Sequence, residues 1–171
     1  MINQISTKTR FGWITAFENH GKIFKVKFGR LKKQTKSKTL ESFRKQLLKF
    51  FDKKISNIKT PHEMMGNQIQ KKIWKELKKI KVGNTITYSK IAKKFKLSPR
   101  HVGKICSQNN LLLVVPCHRV IKTDGSLGGF TSVGGIKLKK KLLELEKNLG
   151  YLNLVWFIHR HKKISIIFSI P

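Results

Sequence analysis

The apolar residues of this chain change their period near residue 60, and that change restricts the fold more than any other feature of the sequence. Upstream the spacing is that of strands. Phe11-Gly12-Trp13-Ile14-Thr15-Ala16-Phe17 and Ile23-Phe24-Lys25-Val26-Lys27-Phe28 flank the turn sequence Asn19-His20-Gly21, which predicts a hairpin. In the second run Phe24, Val26 and Phe28 share one face and Lys25 and Lys27 the other, so one side packs and the other stays wet. A helix capped by Thr39 is expected next, because Leu40, Phe43, Leu47, Phe50 and Phe51 form one apolar stripe. Polar residues 52–60 and then Pro61 read as a linker.

Downstream the period is helical. Met65, Ile69, Ile73 and Leu77 recur every four residues with Trp74 beside them, predicting a helix of about four turns that Gly83 ends. Two shorter helices are expected over Ser89–Phe95 and Pro99–Gln108. Only Lys96-Leu97-Ser98 separates them, the spacing of a helix-turn-helix. The apolar run Leu111–Val115 is too short for a helix and predicts a buried strand or extended segment leading through Pro116 to Cys117. Val120-Ile121 and Leu127 flank the turn Thr123-Asp124-Gly125-Ser126. A last helix is expected over Ile136–Leu149, with Leu138, Leu142, Leu145 and Leu149 on one face and Gly150 as its stop. The fold class expected is α+β: a small N-terminal α/β unit with linker (1–60), a mainly helical unit with a helix-turn-helix (61–150), and an unassigned tail (151–171). The tail holds two apolar windows, each too short to span a membrane.

Composition says what such a fold meets. With 39% apolar residues, eleven Phe and three Trp, 171 residues suffice for a packed core. Lys and Arg number 38 against 8 Asp and Glu, a net charge of +30 that favours a polyanionic partner, nucleic acid first. A lysine-rich composition that makes every surface basic is the competing explanation. Cys106 and Cys117 allow at most one disulfide in a chain unlike a stapled secreted scaffold, and both are expected as reduced thiols. The start Met1-Ile2-Asn3-Gln4 lacks the apolar core of a signal peptide, so a cytoplasmic protein is expected. No Cys/His set has zinc spacing, and neither metal nor cofactor is expected.

Pro116-Cys117-His118-Arg119 pairs a thiol with a base. A thiolate is suited to attack a soft sp³ carbon, the neighbouring imidazole can take the thiol proton, and a buried carboxylate can orient that imidazole. Glu146 on the last helix is the candidate carboxylate. Adjacency alone decides little: a small buried core cysteine fits the same residues.

Beyond that pair, Pro116-Cys117-His118-Arg119-Val120-Ile121 resembles the active-site signature of the O6-alkylguanine-DNA alkyltransferases. Gln70-Lys71-Lys72-Ile73-Trp74, Thr87-Tyr88-Ser89-Lys90-Ile91-Ala92 and Ser98-Pro99-Arg100-His101-Val102-Gly103 resemble the first helix, the start of the helix-turn-helix and the recognition helix of that family's C-terminal domain. Asn109 stands eight residues before Cys117, and Gly134-Gly135-Ile136 through Glu146 is similar to its closing helix. The blocks run in order over residues 69 to 146. Phe11-Gly12-Trp13-Ile14 is similar, less specifically, to the family's smaller, ribonuclease-H-like domain.

The resemblance implies direct, single-turnover repair, in which an alkyl group moves from O6 of guanine in double-stranded DNA, with O4 of thymine a second candidate, to Cys117. No cofactor is implied, and the chain would act as a monomer. By the same resemblance His118 is the water-linked base, Glu146 the carboxylate behind it, and Asn109 the tie between recognition helix and active-site turn. Tyr88 would crowd the target phosphate and help rotate the nucleotide out. Arg100 would fill the vacated place in the stack, an insertion that offsets part of the extrusion cost. Arg119, Phe130, Thr131 and Lys139 complete the expected substrate and DNA contacts. Phe130 stands where a tyrosine is common and can wall the base without donating a hydroxyl bond, which Thr131 would supply. A solvated face is the alternative for Lys139, a phosphate contact for Arg100, and helix-cap packing for Tyr88. Three other functions compete with repair. A non-repairing lesion-binding protein of the same fold would lack the cysteine, and a plain helix-turn-helix binder leaves the cysteine segment unexplained. A cysteine hydrolase needs a second, distant histidine or amide.

Overall fold

A computed structural model of the chain describes residues 1–147. Three antiparallel strands open it, β1 (Asn3–Thr9), β2 (Gly12–Asn19) and β3 (Lys22–Phe28), in the order β1-β2-β3. The β2–β3 turn has His20 and Gly21 at φ +47° and +74°, the left-handed pair whose twist suits a two-residue hairpin. Helix α1 (Lys38–Phe51) lays Leu40, Phe43, Leu47, Phe50 and Phe51 on the sheet face of Ile5, Ile14, Ala16, Val26 and Phe28. Each such side chain contributes about 1.5–3 kcal/mol when fully buried. The cap of α1 is Ser37 rather than Thr39. Ser37 has the extended backbone an N-cap requires and accepts from Leu40 N–H, whereas Thr39 lies inside the first turn and donates to the Gly21 carbonyl.

Helix α2 (Gln68–Leu77) starts at a capping box between Asn67 and Gln70. It buries Ile73, Trp74 and Leu77, and the indole N–H of Trp74 donates to the Ile105 carbonyl at 3.1 Å. The expected stripe is therefore shorter than its spacing suggested. Met65 precedes the cap and is 57% exposed, and the helix ends at Leu77, well before Gly83. The short strand β4 (Ile86–Thr87) then leads into α3 (Tyr88–Phe95) and α4 (Pro99–Ser107), capped by Thr87 and Ser98. Lys96 in the left-handed region turns the chain between the two helices. β4 pairs in parallel with β5 (Val120–Ile121), and a final helix, α5, runs over residues 135–147. The expected helix stop at Leu149-Gly150 and the tail lie outside the described residues.

Backbone hydrogen bonds join the N-terminal sheet to the helical part of the chain. Ile23 exchanges hydrogen bonds with Pro61 and Glu63, and Val26 N–H donates to the Asn110 carbonyl, so the outer edge of β3 is covered. The core is one continuous cluster from Ile5 to Leu145. Among the described residues no helix is long and apolar enough to cross a membrane.

Candidate active site

Every residue from Leu111 to Val120 is buried, yet 111–115 is not the expected strand. Leu113 adopts φ +70° and Val115 N–H donates to the Leu111 carbonyl at 2.8 Å, so the segment closes on itself. A buried turn leaves backbone groups unpaired, and Asn109 supplies the missing partners. Its Oδ1 accepts from Leu111 N–H at 2.9 Å and its Nδ2 donates to the Val115 carbonyl at 2.8 Å. Those bonds fix which way the amide faces, and the same Nδ2 lies 3.1 Å from Cys117 Sγ.

Cys117 and His118 share one 3₁₀ turn (Cys117–Arg119), a bend that neighbours on an extended chain would lack. Cys117 is 4% exposed. Burial pushes its thiol above the ordinary range, while the Asn109 bond and the charge of Lys139 pull the other way. His118 Nε2 lies 2.8 Å from Glu146 Oε1. Because a carboxylate only accepts, the neutral ring carries its proton on Nε2 and keeps Nδ1 as its basic nitrogen. Burial alone would raise the Glu146 carboxyl, but the charge and hydrogen bond of His118, with those of Arg119, hold it down at about 2.

Arg119 departs from expectation. It is buried, its Nε and Nη2 each donate to Glu146 at 2.8 Å, and its Nη1 donates to the Ile80 carbonyl. With its guanidinium spent on the interior it has no face left for DNA, so its expected role as a DNA contact is corrected to holding Glu146 and the end of α2. Lys139 corrects the solvated-face alternative just as clearly. It is 0% exposed, and Nζ donates to the Val120 carbonyl at 2.6 Å and reaches Tyr88 Oη at 3.3 Å and the Gly128 carbonyl at 3.5 Å. Burial lowers its ammonium from the usual value, opposed by Cys117 and Cys106.

Beside this network opens a cleft of about 790 Å³ walled by Tyr88, Gly103, Ser107, Gly128 and Phe130. Burial, helped by the two nearby thiols, pushes the Tyr88 hydroxyl up to about 12, so it stays protonated as a donor. Gly128 permits that close fit, since a Cβ there would come within 2.7 Å of the Tyr88 ring. Thr131 is exposed at the rim and its hydroxyl donates to the Ser107 carbonyl at 3.0 Å, whereas the hydroxyl of neighbouring Ser132 is buried without a partner. Arg100 and His101 are exposed on the first turn of α4. Sequence reasoning missed the Arg119–Glu146 pair and the burial of Lys139. The signals were present: Lys139, Leu142 and Glu146 fall three and four apart on one helical face, and a cation inside a wholly apolar run must find an acid.

Chemically, a sheltered sulfur held by an amide N–H, with a carboxylate-backed imidazole on the same turn, suits transfer of a carbon group to a single thiol. Residues 68–148 match the family model described as the DNA-binding domain of 6-O-methylguanine DNA methyltransferase. The methylated-DNA-protein-cysteine methyltransferase of Metallosphaera sedula is 34% identical over 152 residues, which cover 87% of this chain and 96% of that one. That of Sulfurisphaera tokodaii is 49% identical over 80 residues, 47% of this chain and 49% of the relative. Among solved structures, the O6-methylguanine methyltransferase of Mycobacterium tuberculosis superposes with a TM-score of 0.75 at 27% identity, covering 92% of this chain and 99% of that one. A structure of the same organism's protein in complex with DNA gives 0.75 at 28% identity over 85% and 93%. The chain belongs to the methylated-DNA-protein-cysteine methyltransferase family.

Proposed function

We infer that this protein repairs DNA directly, moving the alkyl group from O6 of an alkylated guanine in duplex DNA to Cys117. The observation that carries this reading is the sulfur held 3.1 Å from Asn109 Nδ2, with the His118–Glu146 pair on the adjoining turn. The thiol proton passes toward His118, the sulfur attacks the alkyl carbon, and the carbon–O6 bond breaks. The guanine leaves with its electron pair and regains in net the proton the thiol gave up. The thioether has no easy hydrolytic exit, so each molecule acts once. Helices α3 and α4 serve as the helix-turn-helix, β1–β3 with α1 as the ribonuclease-H-like unit, and the chain acts as a monomer. The flipped base enters the cleft beside Tyr88, Phe130 walls it, and Lys139 ties Tyr88 to the backbone at Val120. The free hydroxyl of Ser132 is a better candidate donor on this loop than Thr131, whose proton is already committed. Arg100, exposed at the start of α4, fills the place the base leaves.

Incubation with a duplex carrying O6-methylguanine is expected to add one methyl-sized mass to the Cys117 peptide and to no other. Tight lesion binding with unchanged mass would instead favour the non-repairing lesion binder. Arg100→Ala is expected to slow transfer from duplex DNA, where extrusion costs a few kcal/mol, more than transfer from the free alkylated base. Equal slowing of both substrates would remove Arg100 from that role.

A further inference from the structure

Across the 128–134 segment from the base cleft lies a second concavity of about 440 Å³ that alkyl transfer does not use. The β1–β2 turn supplies Phe11 and Trp13, the end of β3 supplies Phe28, and the residue after Gly29 supplies Arg30. Lys137 and Lys141 line the opposite wall from α5. Trp13 and Phe11 are half-buried, whereas Arg30, Lys137 and Lys141 are exposed. The Arg30 guanidinium carbon sits 4.6 Å from the Trp13 ring centroid, and that of Arg10 sits 5.4 Å from the Phe11 ring. No Asp or Glu lines the concavity, and among the described residues none of these four cations joins an ion pair.

We propose that this concavity binds unpaired nucleotides of a single-stranded nucleic acid, stacking a base on Trp13 and holding the adjoining phosphates with Arg30, Lys137 and Lys141. Aromatic faces interleaved with cations and free of acids form the combination that grips a single strand. Every base offers a π-face, and every phosphate releases counterions when neutralised. A guanidinium already resting on an indole is half of such a stack: a base adds to the layer or displaces the cation onto a phosphate. An intact duplex presents no free base face to Trp13, and an acidic peptide would satisfy the cations while leaving the ring idle. Gly12 and Gly29, at φ +109° and +127° with open space where a Cβ would stand, keep bare backbone at the edge of the concavity. The shared 128–134 segment sets this site directly beside the base cleft. A strand opened next to a flipped nucleotide thus meets a second holding point, here on the N-terminal sheet. The choice of nucleic acid rests on the repair reading, but the two can fail separately.

The test uses the full chain and fluorescence anisotropy with labelled oligothymidylate and with an undamaged duplex. Trp13→Ala is expected to weaken oligothymidylate binding about tenfold, within the range for losing one stacked base, and to leave duplex binding unchanged. Trp13→Phe should restore most of the loss. Lys137→Gln with Lys141→Gln should reduce the salt slope of oligothymidylate binding by about two. Transfer from the free alkylated base, which reads the repair site alone, should stay at the wild-type rate in every variant. Unchanged oligothymidylate affinity in Trp13→Ala overturns the proposal, as does oligoglutamate displacing oligothymidylate from the wild-type protein as well as unlabelled oligothymidylate does. If Trp13→Ala also loses free-base transfer through misfolding, the exposed double lysine variant decides, and an unchanged salt slope there counts against the site.

Discussion

Cys117→Ser is expected to gain no mass from O6-methylguanine DNA while still binding it. The substitution keeps the size and the hydrogen-bonding capacity of the position, so Asn109 Nδ2 retains a partner and the buried turn keeps its shape. What disappears is the nucleophile. Even with burial pushing it up, the Cys117 thiol ionises far more readily than a serine hydroxyl, and sulfur is the softer atom for attack on an sp³ carbon. The cost in stability should be about 1 kcal/mol, the scale of one rearranged buried hydrogen bond. Intact-mass spectrometry after prolonged incubation, with thermal melting alongside, checks both statements. Any alkyl mass acquired by the folded variant would move the acceptor role elsewhere in the chain.

Glu146→Gln should damage stability and transfer together. One carboxylate serves His118 Nε2 through Oε1 and Arg119 through both oxygens, all at 2.8 Å within the core. An amide there leaves the Arg119 guanidinium without its counter-charge, and breaking a buried pair from one side costs about 3–5 kcal/mol. Transfer should fall by about a hundredfold or more, because His118 loses the group that orients its ring and stabilises its charged form. The sign with pH follows from the shift. A carboxyl near 4.5 when unfolded and about 2 when folded contributes about 3 kcal/mol, present in full above pH ~4.5 and lost as pH falls through 2. Denaturant unfolding between pH 7 and 2 should show that loss in the wild type and not in Glu146→Gln. Parallel curves for the two proteins would mean that the carboxylate is not the one that acid titrates.

The β2–β3 hairpin and the α3–α4 pair were legible because alternation and cap residues state them locally. The strand β1 was not, since Asn3–Thr9 holds a single large apolar residue, Ile5. Its buried polar members are offset by hydrogen bonds, such as Ser6 Oγ to Thr15 Oγ1 at 2.8 Å, which no hydrophobic pattern records. The 111–115 turn misled for the opposite reason: its residues are uniformly apolar, and only the tertiary bonds from Asn109 bend them away from a strand. At the site, resemblance singled out Asn109, Cys117, His118 and Glu146, which the fold brings into one network. Resemblance did not separate Arg119, which faces inward, from residues that face DNA, because the direction of a side chain depends on what packs around it.

The partners of the central carboxylate are far apart in the chain. His118 and Arg119 lie 28 and 27 residues before Glu146, and Arg119 also reaches back 39 residues to the carbonyl of Ile80. During synthesis the thiol therefore emerges well ahead of the group that backs its base. A nascent or truncated chain ending before α5 has Cys117 but nothing to orient His118, so the sulfur stays chemically quiet until the last described helix docks. For a protein that can react only once, readiness arrives with the completed fold.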